Sequence, residues 1–183
     1  DSVASRGLGD VYKRQASHVM EHVPDPLGWL HQVLECLVVG GRIALLLPIR
    51  DRTMDFYRND TTFGQIVGWS IEKPARPTPT QVMDFLSQSF FHQGEPVEAE
   101  RMPPFERAVR HYGDDDAIRY ARFVWKKRHY LDVHCSTWTP ESFVEIFTRL
   151  RQVGLLECAF SGPYTGFPGA TPFEFLAILE KVE

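Results

Sequence analysis

The apolar positions divide the chain into three stretches. In the first, Ala16-Ser17-His18-Val19-Met20 is short and apolar and reads as the end of a buried strand. Leu27, Leu30, Leu34 and Leu37 then recur at helical spacing and lay one apolar stripe along one face. Asp25-Pro26 supplies an N-cap followed by proline at the first helical position, and Gly40-Gly41 is expected to stop the helix in the left-handed conformation. The unbroken apolar run Ile43 to Leu47 within Arg42–Pro48 predicts a strand covered on both faces. Strand, helix, strand is the unit of a parallel sheet.

The second stretch, between Pro48 and Trp138, is richer in proline, aromatic residues and charge. Thr78-Pro79-Thr80-Gln81 has the form of a capping box and opens a helix carrying Val82, Phe85, Leu86 and Phe90. Asp114-Asp115-Asp116 opens another that ends near Lys126-Lys127-Arg128, charges that complement the helix dipole at both ends. Residues 58–137 are therefore expected to form a helical insertion or lid, because a bare loop of that length does not suit a compact domain. In the third stretch, Thr139-Pro140 caps a helix with Phe143, Phe147 and Leu150 on one face and Gly154 as its stop. Leu155–Phe160 and Phe173–Leu179 are candidate strands, and the Gly/Pro-rich segment between them favours an antiparallel pair.

The segment 1–15 stands apart. It has neither periodicity nor a starting methionine, and Asp10 to Gln15 resembles translated sequencing-adapter sequence, so it is expected to be a non-native or disordered leader to a domain spanning 16–183. Gly7-Leu8-Gly9 follows no hydrophobic strand and is a poor phosphate-binding turn. Net charge of -4 with a pI near 6.0 argues against nucleic acid and anionic membrane as partners. That leaves a small-molecule substrate, with a homo-oligomer open. Cys36, Cys135 and Cys158 form no C-x-x-C pair, and no apolar run approaches the roughly 20 residues a bilayer requires. A cytoplasmic location is expected.

Several blocks carry a resemblance. Ser17-His18-Val19-Met20-Glu21-His22-Val23-Pro24-Asp25-Pro26, then Leu30 and Val39-Gly40-Gly41-Arg42-Ile43-Ala44-Leu45, resembles the S-H-V-x-E-H-V-x-D-P … G-G-x-L stretch of class I S-adenosylmethionine-dependent methyltransferases. Pro48 with Thr53-Met54-Asp55 and Arg58, and Trp138-Thr139-Pro140-Glu141-Ser142-Phe143, are similar to two further blocks of one subgroup of that family, the type 11-like enzymes. The resemblance implies the C-terminal part of a Rossmann-like α/β fold: parallel strands, a helical insertion and a terminal antiparallel strand pair. It implies S-adenosyl-L-methionine as cofactor and methylation of a small-molecule or sugar-linked nucleophile. The glycine-rich turn and the acidic residue with which the family holds its cofactor have no counterpart here, so this chain alone is expected to bind it weakly and to be inactive.

Candidate site residues follow from place and type. His18, Glu21 and His22 come directly after a strand's carboxyl end and are the catalytic candidates; a histidine there can accept a proton from a hydroxyl or amine. The resemblance places His18 near the transferred methyl group, with Ser17, His18 and Val19 along the cofactor, and makes Arg50, Asp55 and Arg58 substrate-facing. Tyr57, Trp69 and Phe90-Phe91 can wall a pocket or belong to the core. His18-Val19-Met20-Glu21-His22 also matches the H-x-x-E-H of some zinc hydrolases, but that motif needs a continuing helix, which Pro24 and Pro26 oppose. His129 and His134 flank Asp132 without a rigid ligand spacing, and no metal is expected. A non-catalytic, methyltransferase-like binding module is the alternative to an enzyme.

Overall fold

The computed structural model describes residues 11–91 and 97–182. Its centre is a mixed four-stranded sheet in the order β1-β2-β4-β3, formed by β1 (Val11–Ser17), β2 (Leu37–Pro48), β3 (Cys158–Tyr164) and β4 (Glu174–Lys181). β1 and β2 are parallel, with Ala16 opposite Leu45 and Ser17 opposite Leu46. β4 runs antiparallel to both neighbours and lies between β2 and β3. The chain is thus α/β, with a terminal antiparallel strand pair as expected.

β1 begins at Val11, inside the segment set apart as a leader, because the backbone of 13–17 continues the parallel ladder upstream along β2. Residues 1–10, with Gly7-Leu8-Gly9, fall outside the described residues. Helix α1 (Pro26–Glu35) joins the two parallel strands. The Asp25 carboxylate accepts from the Gly28 N–H at 2.9 Å, closing the first turn. Gly28 permits this cap, since a Cβ there would stand 2.1 Å from Oδ2, the second oxygen of the capping carboxylate. Leu27, Leu30 and Leu34 face the core as the stripe predicts.

The paired glycines do not end this helix. α1 stops at Glu35, and Leu37, expected in the helix, is a buried residue of β2. Gly40 takes φ +76 within that strand, where the register between β1 and β2 shifts between Val11 and Lys13. The left-handed conformation expected of a glycine is used for a strand irregularity instead of a helix stop.

One face of the sheet is dry. Ile43, Leu45 and Leu47 of β2 and Phe175, Ala177 and Leu179 of β4 are all at most 1% exposed. They pack against α1 and α5 (Pro140–Gln152), with Phe143 and Phe147 stacked at 3.9 Å and Trp138 edge-on to Phe143 at 5.5 Å. Ala44 and Leu46 on the other face of β2 are half-buried, so the strand is fully covered on one face only.

Among the described residues the predicted insertion holds three α-helices. α3 (Pro79–Gln88) and α4 (Asp114–Lys127) stand where the capping box and the Asp114–Asp116 run place them. They share a small cluster with Val133 and Cys135. α2 (Phe63–Glu72), not anticipated, opens with a second capping box, Thr62 with Gln65, and puts Ile66 and Trp69 into the main core. No helix among the described residues is long and apolar enough to cross a membrane.

Candidate functional site

The carboxyl ends of β1 and β2 and the start of β4 meet at one edge of the sheet, and the histidine after β1 is the first residue to leave it. The His18 N–H still bonds the Leu46 carbonyl at 2.9 Å, but its φ is +51. A non-glycine residue there is held at a cost on the order of 1 kcal/mol. Two carboxylates fix the ring: Nδ1 lies 3.3 Å from Glu21 Oε1, and Nε2 lies 3.2 Å from Glu174 Oε2. The contact with Glu21 raises the His18 pKa above the ordinary imidazole value; burial opposes this and Glu174 reinforces it. For Glu174 burial works upward, yet the Thr171 N–H bond at 2.7 Å and His18 hold it below the usual carboxylate value.

After His18 the chain makes a single 3-10 turn, Met20–His22. Glu21 is 0% exposed, and neither carboxylate oxygen takes part in a formed hydrogen bond. Its backbone carbonyl is well used, accepting from the Cys135 N–H at 2.6 Å and the Ser136 N–H at 3.2 Å. This stitch draws the extended segment ahead of α5 against the turn. His22 Nδ1 thereby reaches Asp132 Oδ1 at 2.9 Å, and His134 Nδ1 hydrogen-bonds the buried Asp55. The two imidazoles meet edge-on with centroids 4.7 Å apart. Potential ligand atoms of Glu21, His22 and His134 all lie within 4.8 Å of one another. Cys135 directs its thiol to the carbonyls of His22 and Val133, and burial pushes its pKa up to about 12.

The substrate-facing candidates are engaged within the fold. Arg50 Nε donates to Asp60 at 2.7 Å, and its Nη1 donates to the carbonyls of Phe56 and Arg58 at 2.9 and 3.0 Å. Arg58 is 2% exposed, its Nη1 on Asp55 at 2.8 Å and its Nη2 on Asp84 at 2.7 Å. Burial would raise the Asp55 pKa, but the charges of His134 and Arg58 outweigh it and hold the carboxyl at about 2. Of the aromatic candidates, Trp69 joins the core, Tyr57 packs edge-on to Phe56 and Phe90, and Phe91 is exposed.

His18, Glu21 and His22 lie together after β1, with Ser17 and Val19 exposed beside them at the strand tip. They do not share a helix, so the arrangement that an H-x-x-E-H zinc site needs is absent. Three partners are not assigned to this site by the sequence: Glu174, and His134 with Asp132, which lack a rigid ligand spacing there. Among the described residues no glycine-rich turn follows β1 or β2, and a groove of about 820 Å³ lies away from the strand tip, between Trp69, Thr80 and Trp125. No protein-family model, curated protein or solved structure matches the chain.

Proposed function

We propose that this chain is the acceptor-side part of a class I S-adenosylmethionine-dependent methyltransferase and that His18 faces the nucleophile. The observation that carries the reading is the position of His18: at the carboxyl end of a parallel strand, beside β2, and held from two sides by Glu21 and Glu174. Ligands of open α/β sheets sit beyond the carboxyl ends of the strands. The order of elements supports it as well, since strand, helix, strand and then an antiparallel pair is what the resemblance implies.

The substrate class is a small-molecule or sugar-linked oxygen, nitrogen or carbon nucleophile. Transfer from a sulfonium depends above all on holding that nucleophile in line, so the ring's fixed orientation contributes alongside its basicity. The proton released by a hydroxyl or amine goes to a neutral His18. Because its pKa is raised, that role weakens as pH falls through a value above the ordinary 6.5. Arg50, Asp55 and Arg58 shape the loop beneath the site instead of gripping the substrate.

The test is a titration of the isotope-labelled chain with S-adenosylhomocysteine, followed by NMR. A Kd on the order of 1 mM, with shifts centred on Ser17, His18 and Val19 and abolished by His18→Ala, is the expected result. Shifts confined to the groove around Trp69 and Trp125, or none at all, would remove the proposal.

A further inference from the structure

We propose that Glu21, His22 and His134 form a binding site for one divalent first-row transition metal ion. The inference does not depend on methyl transfer. It rests on three observations that converge at one point.

The first is the donor set. Two imidazoles and a carboxylate present ligand atoms within 4.8 Å of one another. Donors of a tetrahedral zinc site with bonds of about 2.0–2.2 Å stand about 3.3 Å apart. Side-chain rotation closing at most about 1.5 Å would therefore complete the cluster, and His22, the one ligand outside the buried class, has room to supply it. Imidazole favours zinc and its first-row neighbours over magnesium or calcium, which prefer all-oxygen shells.

The second observation is the shell behind the donors. In metal sites each ligating histidine commonly gives its other ring nitrogen to a carboxylate, which fixes ring orientation and strengthens the ligand. Both histidines here do so. His22 Nδ1 meets Asp132 at 2.9 Å and His134 Nδ1 meets Asp55, leaving each Nε2 to the cluster. His22 Nε2 faces Glu21 Oε1 across 4.0 Å, too long for a hydrogen bond and suited to an ion between them. Asp55 is in turn locked by Arg58 at 2.8 Å.

The third is Glu21 itself. A carboxyl group that is 0% exposed normally has its oxygens hydrogen-bonded, because a buried polar atom without a partner costs about 1–3 kcal/mol. Neither Glu21 oxygen has a formed hydrogen bond, and Oε1 has the ring nitrogens of His18 and His22 as its only ion-pair contacts among the described residues. A cation supplies the direct bond that the ion-pair contacts with His18 at 3.3 Å and His22 at 4.0 Å do not. Three protein donors leave a fourth position open, as in catalytic and unlike structural zinc sites.

The experiment is titration of the full chain with Zn²⁺ by calorimetry, repeated with Co²⁺ and read by visible absorption. The expected result is one equivalent bound with Kd on the order of 1 µM or tighter and a Co²⁺ spectrum of nitrogen and oxygen ligation. Glu21→Gln and His22→Gln should each lose uptake, while His129→Gln should retain it. Asp132 is 67% exposed, so Asp132→Asn keeps the fold and should weaken binding by roughly 10–100-fold. No uptake by the unmodified chain overturns the site. So does uptake that survives His22→Gln or Glu21→Gln. Because no S-adenosyl compound is present, failure here leaves the methyl-transfer reading to its own test.

Discussion

The dry face of the sheet and the seam above its strand tips are built on opposite principles. On the dry face, side chains from β2, β4, α1 and α5 meet with almost no exposure, and the stacked pair Phe143–Phe147 sits at its centre. In the seam, buried atoms are charged: Asp55, Arg58 and Glu21 are each at most 2% exposed, within reach of His18, His22, His134 and Asp84. Apolar contacts are tolerant of partner and direction. Buried charges hold only when each has its specific counterpart. Here Asp55 and Arg58 find those counterparts in His134 and Asp84, which ties the start of the insertion to α3 and to the segment ahead of α5.

The comparison is broken most directly by removing a centre of each apolar cluster. Phe143→Ala should cost about 3–5 kcal/mol in urea unfolding, since the ring contacts Trp138, Phe147 and Phe175 and cannot be replaced by local collapse. Leu86→Ala between α3 and α4 should cost less, about 2–3 kcal/mol, because that cluster is smaller and closer to solvent. Equal losses would mean that Leu86 is as firmly packed in its small cluster as Phe143 is in the large one.

The seam is tested through Asp55 and Arg58. Arg58→Met leaves Asp55 and Asp84 without their common cation and should cost about 3 kcal/mol. The pH dependence carries the same information. Asp55 is held at about 2 in the folded state against 3.8 unfolded, so its contribution is present above the unfolded value and is lost as pH falls toward 2. Unfolding between pH 7 and pH 3 should reveal a loss of about 1 kcal/mol, the rest following only below the folded value. Asp55→Asn, already less stable at pH 7, should flatten that slope. A slope unchanged by the substitution would place the acid-labile charge elsewhere.

What the sequence made legible follows the same division. Helices α1, α3, α4 and α5 and the antiparallel terminal pair were readable because their signals are local: a cap, a stripe, a charged end. α2 carried an equally good signal in Thr62 and Gln65, and the length of the proline-rich stretch around it hid the helix. Gly40-Gly41 misled because a glycine that can end a helix can equally let a strand irregularity form; only the burial of Leu37 decides between them. His134 was visible beside Asp132, but nothing local tied it to the strand tip. Its partner Asp55 lies 79 residues away, and what sets the pair together is a backbone stitch from Cys135 to the Glu21 carbonyl. Arg50 and Arg58 were visible as residues but not as roles, since whether a guanidinium faces a ligand or its own chain is settled by tertiary contacts.

The smallest expected effect divides the labour between the two carboxylates on His18. Glu21 is the larger cause of the raised pKa and Glu174 the smaller, so Glu174→Gln should lower the His18 titration midpoint without returning it to 6.5. NMR titration of the ring protons reads this directly. The sign for stability is opposite to that of Asp55: a raised histidine stabilises the fold fully below its unfolded pKa, and the contribution fades as pH climbs through the folded one. With the ring 38% exposed, solvent screening keeps that contribution small, and the midpoint is the more sensitive readout. If Glu174→Gln left the midpoint where it was, β4 would serve the sheet alone, and the turn containing Glu21 would by itself tune the histidine at the strand tip.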